Sequence, residues 1–120
     1  MKDRMKLSNA ENAIVDIEKL RDYCLNPNHP EGKHKARVFK SKPAIGREDA
    51  ELLRERILGI ILTAEATEQP PTAYGRRFVV DFQVTREEAG SILVSLASVR
   101  TAWIMRNEED FPRLVTCFIP

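Results

Sequence analysis

The residues best suited to chemistry are gathered in one stretch, Leu25-Asn-Pro-Asn-His-Pro-Glu-Gly-Lys-His-Lys-Ala-Arg-Val-Phe39. It holds both histidines of the chain and three basic residues at alternate positions, Lys33, Lys35 and Arg37. Imidazole gains and loses a proton near neutral pH, so His29 is a natural general acid or base. Flanked by Asn28 and Pro30, it is equally placed to cap backbone groups of a tight turn, and both roles stay open. His34 reads as a solvated surface position. Lys35 offers a point charge and Arg37 a planar fork, a combination that suits a phosphate. Arg76 and Arg77 precede a strong strand pattern, and Arg100 and Arg113 lie in or beside later ones. On a sheet facing the basic stretch, these side chains would complete a concave, positively charged site. Thr116 lies inside the last strand pattern. Its hydroxyl can donate to a phosphate oxygen, although β-propensity alone also accounts for it. Asp81 belongs on the solvent face of its strand unless a buried arginine meets it.

The chemistry these groups fit is metal-free acid/base work on a phosphodiester, with a histidine moving the proton and Lys or Arg stabilising the charged transition state. Motifs for other chemistries are missing: there is no glycine-rich phosphate loop, GxSxG or HExxH. Cys24 and Cys117 stand 93 residues apart with no CxxC. Each lies among apolar residues, so buried packing in a reducing compartment is expected rather than a zinc site. No metal and no cofactor is expected. The aromatic residues do not interleave the basic ones, which disfavours a base-stacking platform.

A chain of 120 residues can bury a core within one domain, 1–120, with residues 1–11 loosely ordered. Its 42% hydrophobic and 31% charged content is that of an ordinary folded protein. Nineteen basic residues against eighteen acidic ones give a net charge of +1, so no global polyanion signal exists. Between Asn26 and Arg47, however, six basic residues face only Glu31, a local charge of +5. That segment is either a solvated basic face or a polyanion footprint. The opening Met1-Lys-Asp-Arg-Met-Lys lacks the apolar core of a leader, and Ile57–Leu62 is too short to span a bilayer. A cytoplasmic protein with no membrane partner is expected.

Positioning falls to the surrounding elements. Asn12–Val15 can be extended. Asp16 reads as the N-cap of a helix over Ile17–Cys24, or Ser8 and Glu11 as the capping box of one longer helix; either ends by Pro27. Lys33–Lys40 reads as a short helix docking through Ala36 and Phe39. Asp49–Ala64 is the clearest helix, with a stripe of Leu52, Leu53, Ile57, Ile60 and Ile61. Thr67–Ala73, with Pro70 and Pro71, reads as a loop. From Phe78 the period becomes two, which predicts a half-buried strand over Phe78–Val84. Thr85–Gly90 contains a turn, and Ser91–Leu96 is either strand or short helix. Val99–Met105 reads as a central strand and Arg113–Ile119 as a closing one. The fold class that follows is α+β, with N-terminal helices packed on one face of a C-terminal antiparallel sheet of three to four strands.

The stretch Leu25–Phe39 also carries a resemblance, extended by Lys19-Leu-Arg-Asp-Tyr23, Tyr74-Gly-Arg-Arg-Phe-Val-Val-Asp-Phe82, Val99-Arg-Thr-Ala-Trp-Ile104 and Asp110-Phe-Pro-Arg-Leu-Val-Thr-Cys117. It resembles a family of small bacterial proteins of unknown function, over most of the chain from residue 12 onward. In layout, a helix, an HPxGxxKAxxF-like segment and three or four strands, it is distantly similar to the barnase–EndoU–colicin–RelE group of metal-independent ribonucleases and toxins. That likeness implies an endoribonuclease-like protein, of the kind that is the toxin of a bacterial two-gene system, with RNA as substrate and a cognate protein as partner. It implies His29, Lys35, Arg100 and Thr116 as the catalytic set, with His29 as acid/base. Lys33, Arg37, Arg76 and Arg113 would hold phosphates. The competing expectation is a non-catalytic protein-binding module, antitoxin-like or accessory, which the near-neutral net charge favours.

Overall fold

The switch of hydrophobic period near residue 75 divides the architecture: helices come first and a sheet follows. The structure is a computed structural model and describes residues 5–41, 45–87 and 93–120. Strands β1 (Thr67–Thr72), β2 (Gly75–Glu87), β3 (Leu93–Arg106) and β4 (Arg113–Phe118) form an antiparallel meander in the order β1-β2-β3-β4. One face of it is apolar at every second position: Phe78, Val80, Phe82 and Val84 on β2, and Val99, Thr101 and Trp103 on β3 are all buried. Helices α1 (Lys33–Ser41) and α2 (Ala50–Ile60) add Ala36, Phe39, Leu53 and Ile57 to that core. The α+β layout is the one the sequence predicts.

Inside the core one polar chain is fully satisfied. Trp103 Nε1 donates to Thr101 Oγ1 at 2.8 Å, and Thr101 Oγ1 donates in turn to the Val80 carbonyl at 2.7 Å. Thr101 and Trp103 share a face because they are two residues apart on one strand. Buried polar groups paired in this way stabilise, whereas either one left alone would cost.

Several expectations are corrected. Thr67–Thr72 is not a loop but the edge strand β1. Proline is tolerated there because an edge strand has one side without a ladder partner, and Pro70 and Pro71 keep further strands from adding. Leu52 leaves the expected stripe and is 65% exposed. Leu53 and Ile57, one turn apart, face the core, which turns Leu52 about 100° away from it. The helix expected over Asp49–Ala64 is a 3₁₀ turn, Arg47–Asp49, followed by α2, and residues 61–63 form turns. Strand β2 runs to Glu87 and β3 starts at Leu93, so Thr85–Glu87 of the segment expected to contain a turn are strand, while its residues 88–90 lie outside the described ones. Leu7 and Ala10 are buried in the core rather than part of a loose start.

Three local features place the later site. Ile17–Cys24 is helical, but Lys19–Cys24 has the wider π form, with Leu25 N donating to Leu20 O at 2.8 Å. Ile14 lies parallel to β4, donating to Pro112 O and accepting from Leu114 N, both at 2.9 Å. Strand β4 itself carries a bulge: Ala102 pairs with Thr116 and Trp103 with Leu114, leaving Val115 as the extra residue.

Candidate functional site

The stretch rich in histidine and lysine folds as a loop and a helix start tied down by its own polar groups. Asn26 Oδ1 accepts from Asn28 N at 3.0 Å, and Asn26 Nδ2 donates to Asp22 O at 3.2 Å. His29 Nδ1 accepts from both Glu31 N and Gly32 N at 3.0 Å, and its carbonyl accepts from Lys33 N at 3.0 Å. The ring therefore caps the start of α1, and its Nδ1 lone pair is committed. Nε2 is the nitrogen left for anything outside. The His29 ring meets the Tyr23 ring edge-on, with centroids 4.8 Å apart. Gly32 is where α1 crosses the π-helix: a Cβ there would lie 2.2 Å from the Tyr23 carbonyl oxygen, so only glycine allows this approach.

That crossing brings Lys35 against the sheet edge. Its Nζ donates to Thr116 Oγ1 at 3.0 Å and to the Tyr23 hydroxyl at 3.4 Å. It also lies 4.8 Å from the Tyr23 ring centroid and 5.7 Å from that of Phe118. Lys35, Tyr23, His29, Thr116 and Phe118 are all half-buried. Among the described residues no carboxylate pairs with this ammonium. Its hydrogen-bond partners are two hydroxyls, and its flat neighbours are two aromatic rings.

Through Thr116 the ammonium connects to a thiol. Thr116 Oγ1 lies 3.7 Å from Cys24 Sγ. Since Lys35 donates to that oxygen, the hydroxyl hydrogen is free to point at the sulfur. Cys24 is thereby drawn down to about 6, chiefly because the Cys117 thiol donates to it, with Thr116 and the charge of Lys35 acting in the same direction. The same contact, together with burial, pushes Cys117 well above its ordinary range. The pair is thus one thiolate beside one thiol. We expect the thiolate absorbance near 240 nm to rise by one equivalent as pH increases through about 6, and to lose that step in Cys24→Ser. A single step above pH ~8, the ordinary thiol range, would overturn this arrangement.

The other expected site residues are distributed as follows. Arg100 stands directly across from Phe118 in the β3–β4 register and so shares its face. Its guanidinium forks onto Asp81 at 2.9 and 3.0 Å on the solvent side, where Asp81 was expected. Arg76 forks onto Glu68 and stacks on Phe78, two strands away from β4. Arg113 forks onto Glu109 and lies over Phe111, at the opposite end of β4 from Phe118. These last two are occupied and do not converge on Lys35. Lys33 and Arg37 are exposed on the far side of α1. Residues 33 and 35 differ by roughly 200° around a helix, so alternate spacing separates the basic residues rather than collecting them. His34 is exposed, as expected.

Tyr23 and Phe118 join the site without having been singled out as site residues, and Cys24, expected only to pack, joins them. Tyr23 closes the Lys19–Tyr23 segment and Phe118 follows Thr116 by one strand period, but the π-helix that delivers Tyr23 and Cys24 has no sequence signature. Among the described residues no three His, Cys, Asp or Glu side chains are grouped to hold a metal ion, and no helix is long and apolar enough to cross a membrane.

A family model, described as Domain of unknown function (DUF6883), matches residues 6–120. No curated protein and no solved structure matches the chain.

Proposed function

The protein belongs to the DUF6883 family, and from that premise we propose that it is a metal-independent endoribonuclease-like protein, acting as a toxin-type effector, with its reactive centre at Lys35. The observation that carries this reading is the half-buried Lys35 ammonium, held by Tyr23 and Thr116 with no carboxylate partner among the described residues. A cation fixed in this way is pre-organised for an anion that arrives with the substrate. In the reaction the 2′-oxygen of RNA bonds to the adjacent phosphorus and loses its proton. The P–O5′ bond breaks, and O5′ takes up a proton. Lys35 stabilises the charge gathering on the non-bridging oxygens, and Arg100, across from Phe118 on the same face, joins it only when the phosphate displaces the Asp81 carboxylate that holds it. The Tyr23 hydroxyl, already in contact with Lys35, is the group that passes protons. His29 serves through Nε2, because its Nδ1 is spent on the cap of α1. Thr116 holds Lys35 in place and relays its charge to Cys24.

The test is growth on induced expression, followed by incubation of the purified protein with total RNA in excess chelator. Fragments ending in 2′,3′-cyclic phosphate and 5′-hydroxyl are expected. Intact RNA together with normal growth would remove the proposal.

A second reading, a protein-binding module with a cognate partner, is favoured by a separate feature. Tyr74 is 77% exposed beside a cavity of about 620 Å³ whose lining is mixed, with Ile14, Ile104 and Leu114 next to Asp16, Arg106 and Glu108. Exposed tyrosines beside hollows are common anchors in protein interfaces. If this is the functional surface, Tyr74→Ala abolishes capture of the product of an adjacent gene while leaving RNA cleavage and thermal stability unchanged. Capture that is indifferent to Tyr74 argues against it.

A further inference from the structure

Helix α1 carries cations on two opposite sides, and only one of them belongs to the Lys35 cluster. Lys33, Arg37 and Lys40, spaced by four and three residues, form one stripe along the other side. This stripe borders a groove of about 470 Å³ whose far wall is built from Asn26–Asn28 and Gly46–Glu48. Its apolar lining is Leu25, Pro27 and Ala36, of which Pro27 is exposed and the other two are buried. Arg47, also in the lining, is engaged by Asp22 at 2.7 Å and by the Arg21 carbonyl at 3.0 Å. Lys33, Arg37 and Lys40 are exposed and have no ion-pair partner among the described residues. Glu48 is the one acid in the lining. A hollow with three free cations along one side and an exposed proline in its lining suits a charged backbone bearing flat apolar groups.

We infer that this groove is a second nucleic-acid subsite, separate from the Lys35 centre, that binds the phosphate backbone of single-stranded RNA on Lys33, Arg37 and Lys40 with a base lying against the exposed Pro27 ring. The choice of RNA over another phosphodiester rests on the proposed function; the anion subsite itself rests on charge and shape. The loop of residues 26–32 joins the two sites, because Asn26–Asn28 line the groove while His29 packs on Tyr23. RNA engaging both must cross this loop. Groove residues therefore act on substrate binding and Lys35 acts on the chemical step.

The experiment measures anisotropy of a fluorescein-labelled 2′-O-methyl oligouridine about 12 nucleotides long, which cannot cleave for want of a free 2′-hydroxyl. It uses wild type, the charge-reversed K33E/R37E/K40E, the neutral K33Q/R37Q/K40Q and K35A. All three groove side chains are exposed, so both triple variants should melt at the wild-type temperature. Losing three phosphate contacts should weaken binding at least ~10-fold and lower the log–log salt slope by about 2. K35A removes one phosphate contact at the other site, so it should lower the slope by no more than ~0.7 and weaken binding less than either triple variant. On cleavable RNA, the neutral triple variant should raise KM and spare kcat. The inference is overturned if either triple variant binds the oligonucleotide as wild type does, if wild type shows no binding, or if the stripe retains phosphatidylserine vesicles in preference to RNA. Groove-dependent binding without any cleavage would uphold the subsite and remove the endoribonuclease reading. Cleavage indifferent to the groove would do the reverse.

Discussion

Lys35→Ala should slow RNA cleavage by about 10²–10³-fold, the loss usual when one pre-organised stabilising donor is taken from a reacting phosphate or carbonyl. The effect should fall mainly on kcat, because the ammonium gains more from the charge that develops on the non-bridging oxygens than from the single charge of the resting phosphodiester. Lys35→Met separates charge from shape. It keeps an unbranched stem over the Tyr23 and Phe118 rings and removes only the donors, so it should fold as wild type and be as inactive as alanine. Lys35→Arg should recover part of the rate, since a guanidinium stacks on the same rings but cannot place one nitrogen at both hydroxyls. In both inactive variants the Cys24 thiolate should form at higher pH than in wild type, because Lys35 is among the groups that lower it. Cleavage in Lys35→Met that matches wild type would show that the reaction, if present, lies elsewhere.

Trp103→Ala is expected to cost about 3–5 kcal/mol of folding stability, the range for removing a buried large aromatic side chain. That is a large share of the ~5–15 kcal/mol that holds a typical domain together. Trp103 is 1% exposed and its Nε1 donates to the fully buried Thr101. Thr101→Val tests the polar half of the same unit. Its methyl nearly fills the space of the hydroxyl, but it leaves Trp103 Nε1–H and the Val80 carbonyl without their partner, at about 1–3 kcal/mol. Urea denaturation followed by Trp103 fluorescence reads the threonine variant, and far-UV circular dichroism reads both. A cost for Trp103→Ala below ~1 kcal/mol would contradict a core built around this residue.

The period-two run Phe78–Val84 and the Ala36/Phe39 pair were readable because each side chain's burial follows from local geometry alone. Lys33–Lys40 was readable as a short helix for the same reason. Thr67–Thr72 was not, since two prolines mask a strand whose existence depends on β2 beside it. Leu52 was misplaced because hydrophobicity shows which residues can be buried, while the direction of α2 selects the ones that are. The exchange among the arginines has a similar cause. Arg76, Arg100 and Arg113 are paired by Glu68, Asp81 and Glu109, and two of those three contacts join different strands.

By itself the chain determined the α+β order of elements, the tight turn around His29, the basic character of residues 26–47 and the core faces of α1 and β2. These depend on dihedral preference, period and charge, which are properties of neighbours in sequence. Only the tertiary structure decided what the basic stretch becomes. A glycine-permitted crossing of α1 over a π-helix brings Lys35 to Tyr23 and to Thr116, 81 residues later. The same helix turns Lys33 and Arg37 into a different groove, and the cap of α1 takes up the Nδ1 of His29. Cys24 and Cys117 become one coupled pair. For the lysines and Arg37 the reason is that a helix rotates successive side chains by about 100°, so residues adjacent in sequence part company; for His29 and the cysteines it is that packing chooses the partners.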